Sequence, residues 1–556
     1  MRNIFKPDEF YVVPLGGSEE FGANLNLYVC NGDYLAIDCG IAFADERYPG
    51  IDLLLPDPWL LEENKDNLKG LVITHAHEDH IGATARLWER FQCPIYTGAF
   101  TASVLRKKLA QEGLRDIPIH VIEANSPFSL GAFTIELFPV SHSVPDSYSV
   151  LLTTTHGNIL HSGDWNLDPQ PVVGAKTEEQ LFRSLADKNL IAYVGDSTNA
   201  QVNGYSGSEE DVAKGLAKEF KKCQKKIAVT TFASNIGRVI SIIRAAQEVG
   251  RSVALIGRSL HRMVGCAYEC GLMEDIPDFL TEDDIAHIPD ENLLLIVTGS
   301  QGEHRAALGK ISRGDYRSVS LNKGDTVIFS ARAIPGNERN INHVKNSLSA
   351  AGVHVVTPKD TSNIIHVSGH PCRDEIAEML QWVKPKCVIP VHGERMQLDA
   401  QAKLAKSCQI EQCVVPSNGS VIRLAPGEPK IVDHVETAML AVDQSRIIPA
   451  THQSITARRK LQYSGAVHAS LVLDNDYNIL GSIKIDTVGL SCQRNNDCII
   501  EDLQQHIHRT IESIPHDIVN DEEDIAESIR IPLRKYVMNT LGLKPKTTVH
   551  VTCLNI

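Results

Sequence analysis

Several features that often classify a protein are missing from this sequence of 556 residues. No apolar run approaches the about 20 residues that a membrane-spanning helix needs. The first residues, Met1–Pro7, contain no apolar signal core, and neither internal repeats nor low-complexity tracts occur. With 43% hydrophobic residues, the composition is that of an ordinary globular protein. We therefore expect a protein of the cytoplasm with no membrane partner, and its length predicts two to four domains.

The cysteines lack the spacing of a metal cluster. None of the 13 forms a Cys-x-x-Cys pair, and Cys266 and Cys270 stand alone one helical turn apart. Neither a disulfide framework nor a cysteine-based structural zinc site is therefore expected. Buried, reduced thiols explain the pattern better.

A basic balance, which is common in nucleic-acid-binding proteins, is also missing, since the formal net charge is −15. The charge is unevenly distributed, however. Residues 197–365 carry 20 Lys and Arg against 19 Asp and Glu, and residues 301–345 carry 8 against 4. A locally basic middle is compatible with a nucleic-acid channel. A mixed, solvated surface explains the same counts equally well.

Potential metal ligands are concentrated at one strand-to-helix turn. The apolar residues Leu71–Ile73 predict a buried strand, and a helical pattern follows from Ile81. Between them lies Thr74-His75-Ala76-His77-Glu78-Asp79-His80. Imidazole and carboxylate groups together suit zinc or a similar divalent ion. One tetrahedral ion cannot use four side chains and keep an open position, so we expect two ions, with His75 and His77 on one and Asp79 and His80 on the other.

Further polar residues stand at the ends of later predicted strands. They are Ser141-His142-Ser143, His161-Ser162-Gly163-Asp164, Gly195-Asp196-Ser197-Thr198-Asn199 and His392-Gly393-Glu394. Side chains at the ends of successive strands are how a layered α/β enzyme presents a site. We expect His161 to be structural rather than a ligand.

A long gap separates the two sets of potential ligands. Within it, strands and helices alternate from Ser208 onward, which predicts a doubly wound α/β unit inserted into the metal-binding domain. After about residue 440 the metal-type motifs stop. The predicted boundaries are 1–205 and 363–440 for the metal-binding domain, 206–362 for the insert, 441–460 for a linker, and 461–556 for a small α/β C-terminal domain.

The motifs resemble those of one enzyme family. His75-Ala76-His77-Glu78-Asp79-His80 fits the His-x-His-x-Asp-His signature of the metallo-β-lactamase fold. The insert resembles that of the β-CASP nucleases, and five later motifs in order resemble bacterial ribonuclease J. These motifs are Asp196-Ser197-Thr198-Asn199-Ala200, Thr298-Gly299-Ser300-Gln301-Gly302-Glu303, Ile334-Pro335-Gly336-Asn337-Glu338, His366-Val367-Ser368-Gly369-His370 and Pro390-Val391-His392-Gly393-Glu394. Ala76, His304 and Pro371-Cys372 depart from the usual family pattern, but none removes an expected ligand.

The resemblance implies a fold and a metal centre. The fold would be α/β: a metallo-β-lactamase αββα sandwich with an inserted doubly wound α/β β-CASP domain and a small α/β C-terminal domain. Two Zn²⁺ ions are implied, with Mn²⁺ or Mg²⁺ as alternatives. The implied ligands are His75, His77 and His142 for one ion, Asp79, His80 and His392 for the other, and Asp164 as a bridge. Such ions activate water and neutralise phosphoryl charge, and Asp79 would also orient the nucleophile.

The resemblance also implies the roles of residues around the metals. His370 would be the general acid for the departing 3′ oxygen, and Asp196 would hold its imidazole protonated. The alternative for His370 is a hydrogen bond to phosphate only. The implied phosphate contacts are Ser234, Asn235, His366, Ser368 and Gly369, although Ser234 and Asn235 could equally cap a helix. Arg258, Arg305 and Arg332 are candidates for RNA backbone contacts, with solvated surface as the alternative.

The implied function is a ribonuclease acting on single-stranded RNA, with 5′-to-3′ exonuclease activity that prefers 5′-monophosphate ends and with endonuclease activity. A homodimer or homotetramer is implied as well. The alternatives are a β-CASP DNA nuclease, a small-molecule metallo-hydrolase and a non-catalytic RNA-binding subunit. In this family the position of His392 tends to be histidine in RNA enzymes and valine in DNA enzymes, which favours RNA. A small substrate needs no second domain over the cleft, and the complete ligand set disfavours a non-catalytic subunit.

Overall fold

The computed structural model describes residues 4–490, 496–514 and 521–554. The chain forms two compact units. The first runs up to Phe43 and continues from Leu54 to Met439, and the second comprises Ala44–Leu53 and the chain from Leu440 onward.

The strands and helices alternate along most of the chain. The strands are β1 Phe10–Gly16, β2 Leu25–Cys30, β3 Asp33–Ile37, β4 Ala42–Phe43, β5 Leu53–Pro56, β6 Leu68–Val72, β7 Ile95–Thr97, β8 Ile119–Val121, β9 Phe128–Leu130, β10 Phe133–Val140, β11 Ser147–Thr154, β12 Gly157–His161, β13 Leu190–Asp196, β14 Ile227–Thr230, β15 Ser252–Ile256, β16 Leu293–Val297, β17 Thr326–Phe329, β18 His354–Val356, β19 Cys387–Val391, β20 Gln412–Cys413, β21 Ser420–Ala425, β22 Lys430–His434, β23 Met439–Asp443, β24 Arg446–Pro449, β25 Ala466–Leu473, β26 Lys484–Val488 and β27 Lys546–Cys553.

The α-helices are α1 Trp59–Glu63, α2 Glu78–Ile81, α3 Thr84–Phe91, α4 Ala99–Gln111, α5 Glu179–Arg183, α6 Glu209–Phe220, α7 Ile236–Glu248, α8 Arg258–Glu269, α9 Ala307–Ile311, α10 Glu338–Ala350, α11 Arg373–Val383, α12 Arg395–Ser407, α13 Gln453–Ser464, α14 Asn496–Glu512 and α15 Glu522–Leu541. Short 3-10 helices lie at Ser184–Lys188, Asp284–His287 and Asp290–Asn292.

Two large sheets pack face to face in the first unit. One has the strand order β22-β21-β1-β2-β3-β6-β7-β8, and the other β20-β19-β13-β12-β11-β10-β9. A shared core of fully buried side chains, including Val12, Ile37, Val150 and Val194, lies between them. Strands such as β1, β2 and β19 are buried on both faces and have nearly continuous apolar sequences, whereas the edge strand β22 is exposed.

Helices cover the outer face of the second sheet. A separate core joins side chains of its strands, such as Tyr193, to Phe182 of α5 and to Met379 and Trp382 of α11. Trp165 is fully buried in this core, where its indole N–H donates to the Tyr193 hydroxyl at 3.1 Å. With two sheets inside and helices outside, the predicted αββα sandwich is confirmed.

The insert is a separate α/β layer within the first unit. Its five strands have the order β15-β16-β14-β17-β18, and every neighbouring pair is parallel. Parallel strands need crossover connections, and α7, α8 and α10 supply them. The core of the insert includes Leu295, Val297, Val327 and Leu348. The inserted α/β domain is therefore confirmed, while its boundaries at residues 206 and 362 remain predictions.

The second unit contains a three-stranded sheet of order β26-β25-β27. Leu503 and Ile507 of α14 and Ile529 and Leu533 of α15 form its core with the strands. The boundaries of the linker expected over residues 441–460 stay a prediction. This stretch contains most of the β23–β24 hairpin and part of α13.

Close backbone packing between α6 and Ile364, two residues before His366, generates a test of the fold. A methyl group on Gly215 would lie 1.9 Å from the carbonyl oxygen of Ile364, whereas one on Gly265 of α8 would meet only the Nζ of Lys107 at 3.5 Å. We expect Gly215→Ala to cost about 1–3 kcal/mol, because backbone must move. Gly265→Ala should be neutral or stabilising by about 0.5–1 kcal/mol. Thermal unfolding at fixed metal concentration measures both, and equal melting temperatures would contradict the packing argument.

Candidate metal centre

The first group of potential ligands includes residues from the turn at residues 75–80 and from the end of β10. His75 follows β6 closely, and its Nε2 lies 3.1 Å from Nδ1 of His77. The Nε2 of His142 lies 3.0 Å from the same Nδ1. The Asp164 carboxylate lies 3.6 Å from His75 Nε2 and 3.7 Å from His142 Nε2. Four predicted ligands are therefore brought together with their potential ligand atoms within 4.8 Å of one another.

The second group shares Asp164 with the first. The Nε2 of His80 lies 3.2 Å from Asp164 Oδ2 and 3.5 Å from Asp79 Oδ2. His392, which follows β19, places its Nε2 3.4 Å from Asp164 and 3.6 Å from Asp79. The second set, whose potential ligand atoms lie within 4.8 Å of one another, therefore consists of Asp79, His80, Asp164 and His392.

The Asp164 carboxylate tests whether the residues fit divalent ions. Its Oδ2 is buried and makes no hydrogen bond, although ring nitrogens of four potential histidine ligands face it within 3.7 Å. A buried carboxylate oxygen without a hydrogen bond is costly unless another partner satisfies it. Imidazole nitrogens and carboxylate oxygens in these proportions are the ligands of zinc-class ions. The residues therefore fit a pair of such ions.

The outer ring nitrogens of the histidines have hydrogen-bond partners of their own. Nδ1 of His80 lies 2.7 Å from Asp38, and Nδ1 of His142 lies 2.7 Å from the carbonyl oxygen of Gly369. Nδ1 of His392 lies 3.1 Å from the side-chain oxygen of Asn24. Each partner accepts a hydrogen bond from the Nδ1–H group, which directs Nε2 toward a metal.

Asp38 also supports His75. Its carboxylate accepts hydrogen bonds from the backbone N–H of Thr74 at 2.8 Å and from the Thr74 hydroxyl at 3.0 Å. That hydroxyl lies 2.9 Å from Nδ1 of His75. Because the hydroxyl donates to Asp38, it accepts from Nδ1 of His75 and directs Nε2 toward the site. One buried carboxylate therefore orients a histidine of each group.

Sequence analysis did not single out Asp38 or Asn24. Asp38 directly follows β3 with a positive φ of 63°, and its carboxylate contacts Thr74 and His80. The sequence contains one usable signal, an aspartate directly after the apolar end of a buried strand. Nothing local in the sequence marks Asn24, whose amide contacts Asp79 and His392 only in the folded chain.

Burial and charge set the protonation of the two groups differently. Burial lowers the pKa of His77 to about 4 and keeps the pKa values of His75 and His142 well below the usual range. In the second group, burial alone would lower the pKa values of His80 and His392, but Asp164 and the other nearby aspartates together outweigh it and raise them. The first group is therefore ready to bind a cation, whereas binding at the second displaces protons.

His370 lies beside both groups. Its Nδ1 lies 2.9 Å from Asp196 Oδ2 and 3.7 Å from Asp164 Oδ2. Burial alone would lower the pKa of His370, but Asp196 and Asp164 outweigh it and raise the pKa to about 9. With Nδ1 committed to Asp196, the other ring nitrogen remains for a substrate. A third cluster, whose potential ligand atoms lie within 4.8 Å of one another, consists of Asp164, Asp196, His370 and His392. Geometry alone therefore does not exclude a metal-binding role for His370.

A small cavity of about 10 Å³, which holds about one water molecule, adjoins the first ligand group. Three of the predicted phosphate contacts line it, namely Asn235, Ser368 and Gly369. Asn235 also caps α7, since its side-chain oxygen accepts from the backbone N–H of Arg238 at 2.8 Å. Helix N-termini attract anions, so both roles predicted for Asn235 are compatible.

The other predicted residues near the cavity have different partners. The residue before the cap is Ser234, whose carbonyl oxygen accepts from the N–H of Ile236. Nδ1 of His366 faces the Arg238 guanidinium at 3.3 Å. His161 is buried with its Nδ1 3.0 Å from the Tyr28 hydroxyl, in agreement with a structural role.

Comparisons with known proteins agree with this arrangement. Family models match residues 34–182 as "Beta-lactamase superfamily domain", 224–348 as "Ribonuclease J, beta-CASP domain", 353–416 as "Zn-dependent metallo-hydrolase RNA specificity domain" and 453–554 as "Ribonuclease J C-terminal domain". A curated ribonuclease J from Sinorhizobium meliloti is 40% identical over 99% of this chain and 98% of its own length. The chain belongs to the ribonuclease J family.

Other members of the ribonuclease J family are similar over nearly the same length. The protein from Mycolicibacterium smegmatis is 35% identical, covering 97% of this chain and 96% of that one, and the protein from Thermus thermophilus is 31% identical, covering 97% and 94%. A crystal structure of a protein of unknown function from Enterococcus faecalis aligns with a TM-score of 0.53 and 16% identity over 75% of this chain and 100% of that chain, which supports the fold alone. Among the described residues of this family member, no helix is long and apolar enough to span a membrane.

The contacts of Asp38 generate a prediction about metal affinity. An asparagine at this position places an amide N–H₂ against either the His80 ring N–H or the donors of Thr74, so one donor faces another. We expect Asp38→Asn to weaken metal binding by about 10–100-fold, the usual worth of a residue that orients a ligand. Competition titration with a chromophoric chelator measures this affinity. Asp116→Asn, at an exposed position, is the control, and equal affinities in the two variants would refute the orienting role.

Proposed function

We propose that this protein hydrolyses RNA phosphodiester bonds with two zinc-class ions, as a 5′-to-3′ exonuclease that prefers 5′-monophosphate ends and as an endonuclease. A member of the ribonuclease J family with a metallo-β-lactamase sandwich and a β-CASP insert is a metal-dependent ribonuclease. The number and identity of the ions, the residue roles and the cleavage modes are our proposal.

One observation carries the proposal: seven potential ligands form two groups around a single buried carboxylate oxygen. Seven ligands exceed what one open catalytic zinc uses. We assign His75, His77 and His142 to one ion and Asp79, His80 and His392 to the other, with Asp164 shared. The nitrogen-rich set favours zinc over Mg²⁺, whereas Mn²⁺ remains an alternative. When bound, such a pair of ions lowers the pKa of water and neutralises charge on a phosphoryl oxygen.

We propose that His370 donates a proton to the 3′ oxygen that leaves the phosphorus. Its Nδ1 is held by Asp196 at 2.9 Å, so the proton to be transferred is the one on Nε2. Asp196 maintains the ring orientation and favours the protonated form. A ribose oxygen leaves poorly as an alkoxide, so a positioned acid lowers the barrier. Asp79 has a second role in the proposal, which is to orient the attacking water.

The proposed 5′-phosphate contacts surround the cavity beside His142. The backbone N–H groups at the start of α7 and the Ser368–Gly369 segment supply donors to an anion. Asn199 orders this segment, because its amide donates to Ser368 Oγ at 2.8 Å and to the carbonyl oxygen of His370 at 3.2 Å. Arg332 donates to the Asn199 side-chain oxygen at 3.1 Å and adds positive charge. Ser234 and His366 complete the proposed set.

The proposal extends to assembly and location. We propose a homodimer or homotetramer formed through the C-terminal domain, in whose sheet β26 and β27 are the edge strands. Sedimentation velocity that gives a monomer at micromolar concentration would contradict it. We also place the enzyme in the cytoplasm, where the free cysteines of the described residues remain reduced.

The phosphate cavity predicts how the enzyme treats different 5′ ends. One phosphate can accept hydrogen bonds from the donors beside the metal groups, whereas a triphosphate is larger and more charged. We expect 5′-monophosphorylated RNA to be degraded processively to nucleotides and triphosphorylated RNA to be cut mainly at internal positions. Cleavage of RNAs labelled at either end, with DNA of the same sequence as the control, separates these products. Equal exonucleolytic rates on both RNA ends would exclude the proposed recognition.

Alanine variants of His370 and His392 distinguish proton donation from metal binding. We expect His370→Ala to keep the metal content of the wild type, about two ions per chain, and to lose roughly 10²–10⁴ in rate. His392→Ala should instead lose rate through weaker occupancy of one metal position. Elemental analysis and single-turnover kinetics measure both.

A sulfur substitution tests the same role chemically. A 3′ thiolate departs without a proton, so replacing the bridging 3′ oxygen with sulfur should restore cleavage by His370→Ala. The same substrate should not rescue His392→Ala when metal is limiting. Loss of metal from His370→Ala, or rescue of neither variant, would argue that His370 is a ligand or a phosphate anchor.

A further inference from the structure

A fully buried arginine of the insert is bonded to a carboxylate beside the phosphate cavity. Arg238 of α7 is 0% exposed. Its Nε donates to Glu209 Oε2 at 2.8 Å, and its Nη2 donates to Glu209 Oε1 at 2.6 Å. Such a two-point pair is directional, so it holds the guanidinium plane in one orientation. Glu209 is the first residue of α6, at the entry to the insert.

The remaining guanidinium nitrogen points to the segment that contains His366. Nη1 donates to the carbonyl oxygen of Ser330 at 2.9 Å and to its hydroxyl at 2.8 Å. That hydroxyl donates to the carbonyl oxygen of Ile365 at 2.6 Å. Arg238 therefore holds the backbone immediately before His366 through one serine.

The same nitrogen determines the tautomer of His366. Nη1 lies 3.3 Å from Nδ1 of His366, and because a guanidinium only donates, Nδ1 must be the acceptor. The ring is then neutral and carries its proton on Nε2. Burial, together with the positive charges of Arg238 and Arg332, keeps the pKa of His366 well below its usual range. A neutral ring with Nε2–H is a hydrogen-bond donor to phosphate.

Glu209 itself lines the cavity, as does Asp168. Both carboxylate oxygens of Asp168 already accept backbone N–H groups, from Gln170 at 2.8 Å and from Glu209 at 2.9 Å. Glu209 is compensated by Arg238, and its Oε1 also lies 3.4 Å from the Asn235 amide. The Arg238–Glu209 ion pair therefore contacts two residues that are proposed phosphate contacts, Asn235 and His366.

We propose that Arg238, held by Glu209, is a positioning residue for 5′-end recognition: it orders Asn235 and His366 and makes His366 a neutral Nε2–H donor to the terminal phosphate. The inference rests on the proposed preference for 5′-monophosphate ends. Arg238 itself does not contact the RNA in this proposal. A buried ion pair is weak evidence for stability, so specificity of the site is the better explanation for its presence.

The test compares RNA of one sequence with either a 5′ monophosphate or a 5′ hydroxyl. We expect Arg238→Met to reduce the preference for the monophosphate by roughly 10–100-fold, the usual worth of a hydrogen bond to a charged group. The loss should appear as a higher KM for monophosphorylated RNA. Cleavage of a circular RNA, which has no 5′ end, should fall much less. A purely structural role would reduce both activities by the same factor, and that result would overturn the proposal.

Arg238→Met leaves Glu209 buried without its partner, which destabilises the fold. A second variant keeps the proposal testable if Arg238→Met does not fold. Arg238→Met/Glu209→Leu removes both charges and should fold while still lacking the preference, because nothing then directs His366. A double variant that regains the wild-type preference would show that charge balance alone matters, which would overturn the positioning role.

Two other arginines of the insert are matched controls. Arg251 is buried directly before the edge strand β15 and donates to backbone carbonyl oxygens, such as that of Lys225 at 2.7 Å. Arg244 lies exposed on α7 itself. Methionine at either position should leave the preference unchanged, and a loss equal to that of Arg238→Met would overturn the inference. A wild-type enzyme without any preference for the monophosphate would instead refute the proposed function.

Discussion

The carboxylate of Asp164 is the one group around which the first unit is organised. It is buried, lacks a hydrogen bond on one oxygen, and is shared by both sets of potential ligands. A buried carboxylate oxygen without a hydrogen bond is unfavourable unless a cation satisfies it, and bound divalent metal would do so. Metal binding at this cluster would then also contribute to the stability of the fold.

The potential ligands lie near the ends of strands, and two of the turns there place a non-glycine residue at a positive φ. His392 has a φ of 55°, and Asp38 has a φ of 63°. Non-glycine residues in the left-handed region cost energy and persist where surrounding bonds hold them. The N–H of His392 donates to the carbonyl oxygen of Gly17, and that of Asp38 donates to Val72, each at 2.8 Å. These bonds bring the C-terminal ligand and the orienting carboxylate to the motif at residues 75–80.

The insert changes what a common metal sandwich can act on. It meets the metal domain beside the first ligand group, where the start of α7 and the Ser368–Gly369 segment border one cavity. Donors to an anion therefore stand next to the metal ligands. The buried Arg238–Glu209 pair connects the insert to the loop of His366. In our proposal, this connection is what converts a general hydrolase centre into one that recognises an RNA end.

The sequence alone determined the fold class, and it singled out the seven potential ligands. Motifs at strand ends are local, and the spacing of His75, His77, Asp79 and His80 is itself chemical information. The sandwich, the insert and the convergence of seven ligands agree with those expectations. The linker expected over residues 441–460 stays a prediction, and the structure has strands and a helix within that stretch.

Only the tertiary structure decided which groups support the ligands. Asp38, Asn24 and Arg238 act across 36 to 368 residues of sequence, and no local pattern encodes a contact at that separation. The same reason explains Asn235, for which cap and phosphate contact were equal expectations until the cavity placed it beside Ser368. The residue types near one turn can be identified from the sequence. The direction of a hydrogen bond and the tautomer of a histidine ring depend on neighbours that only folding brings together.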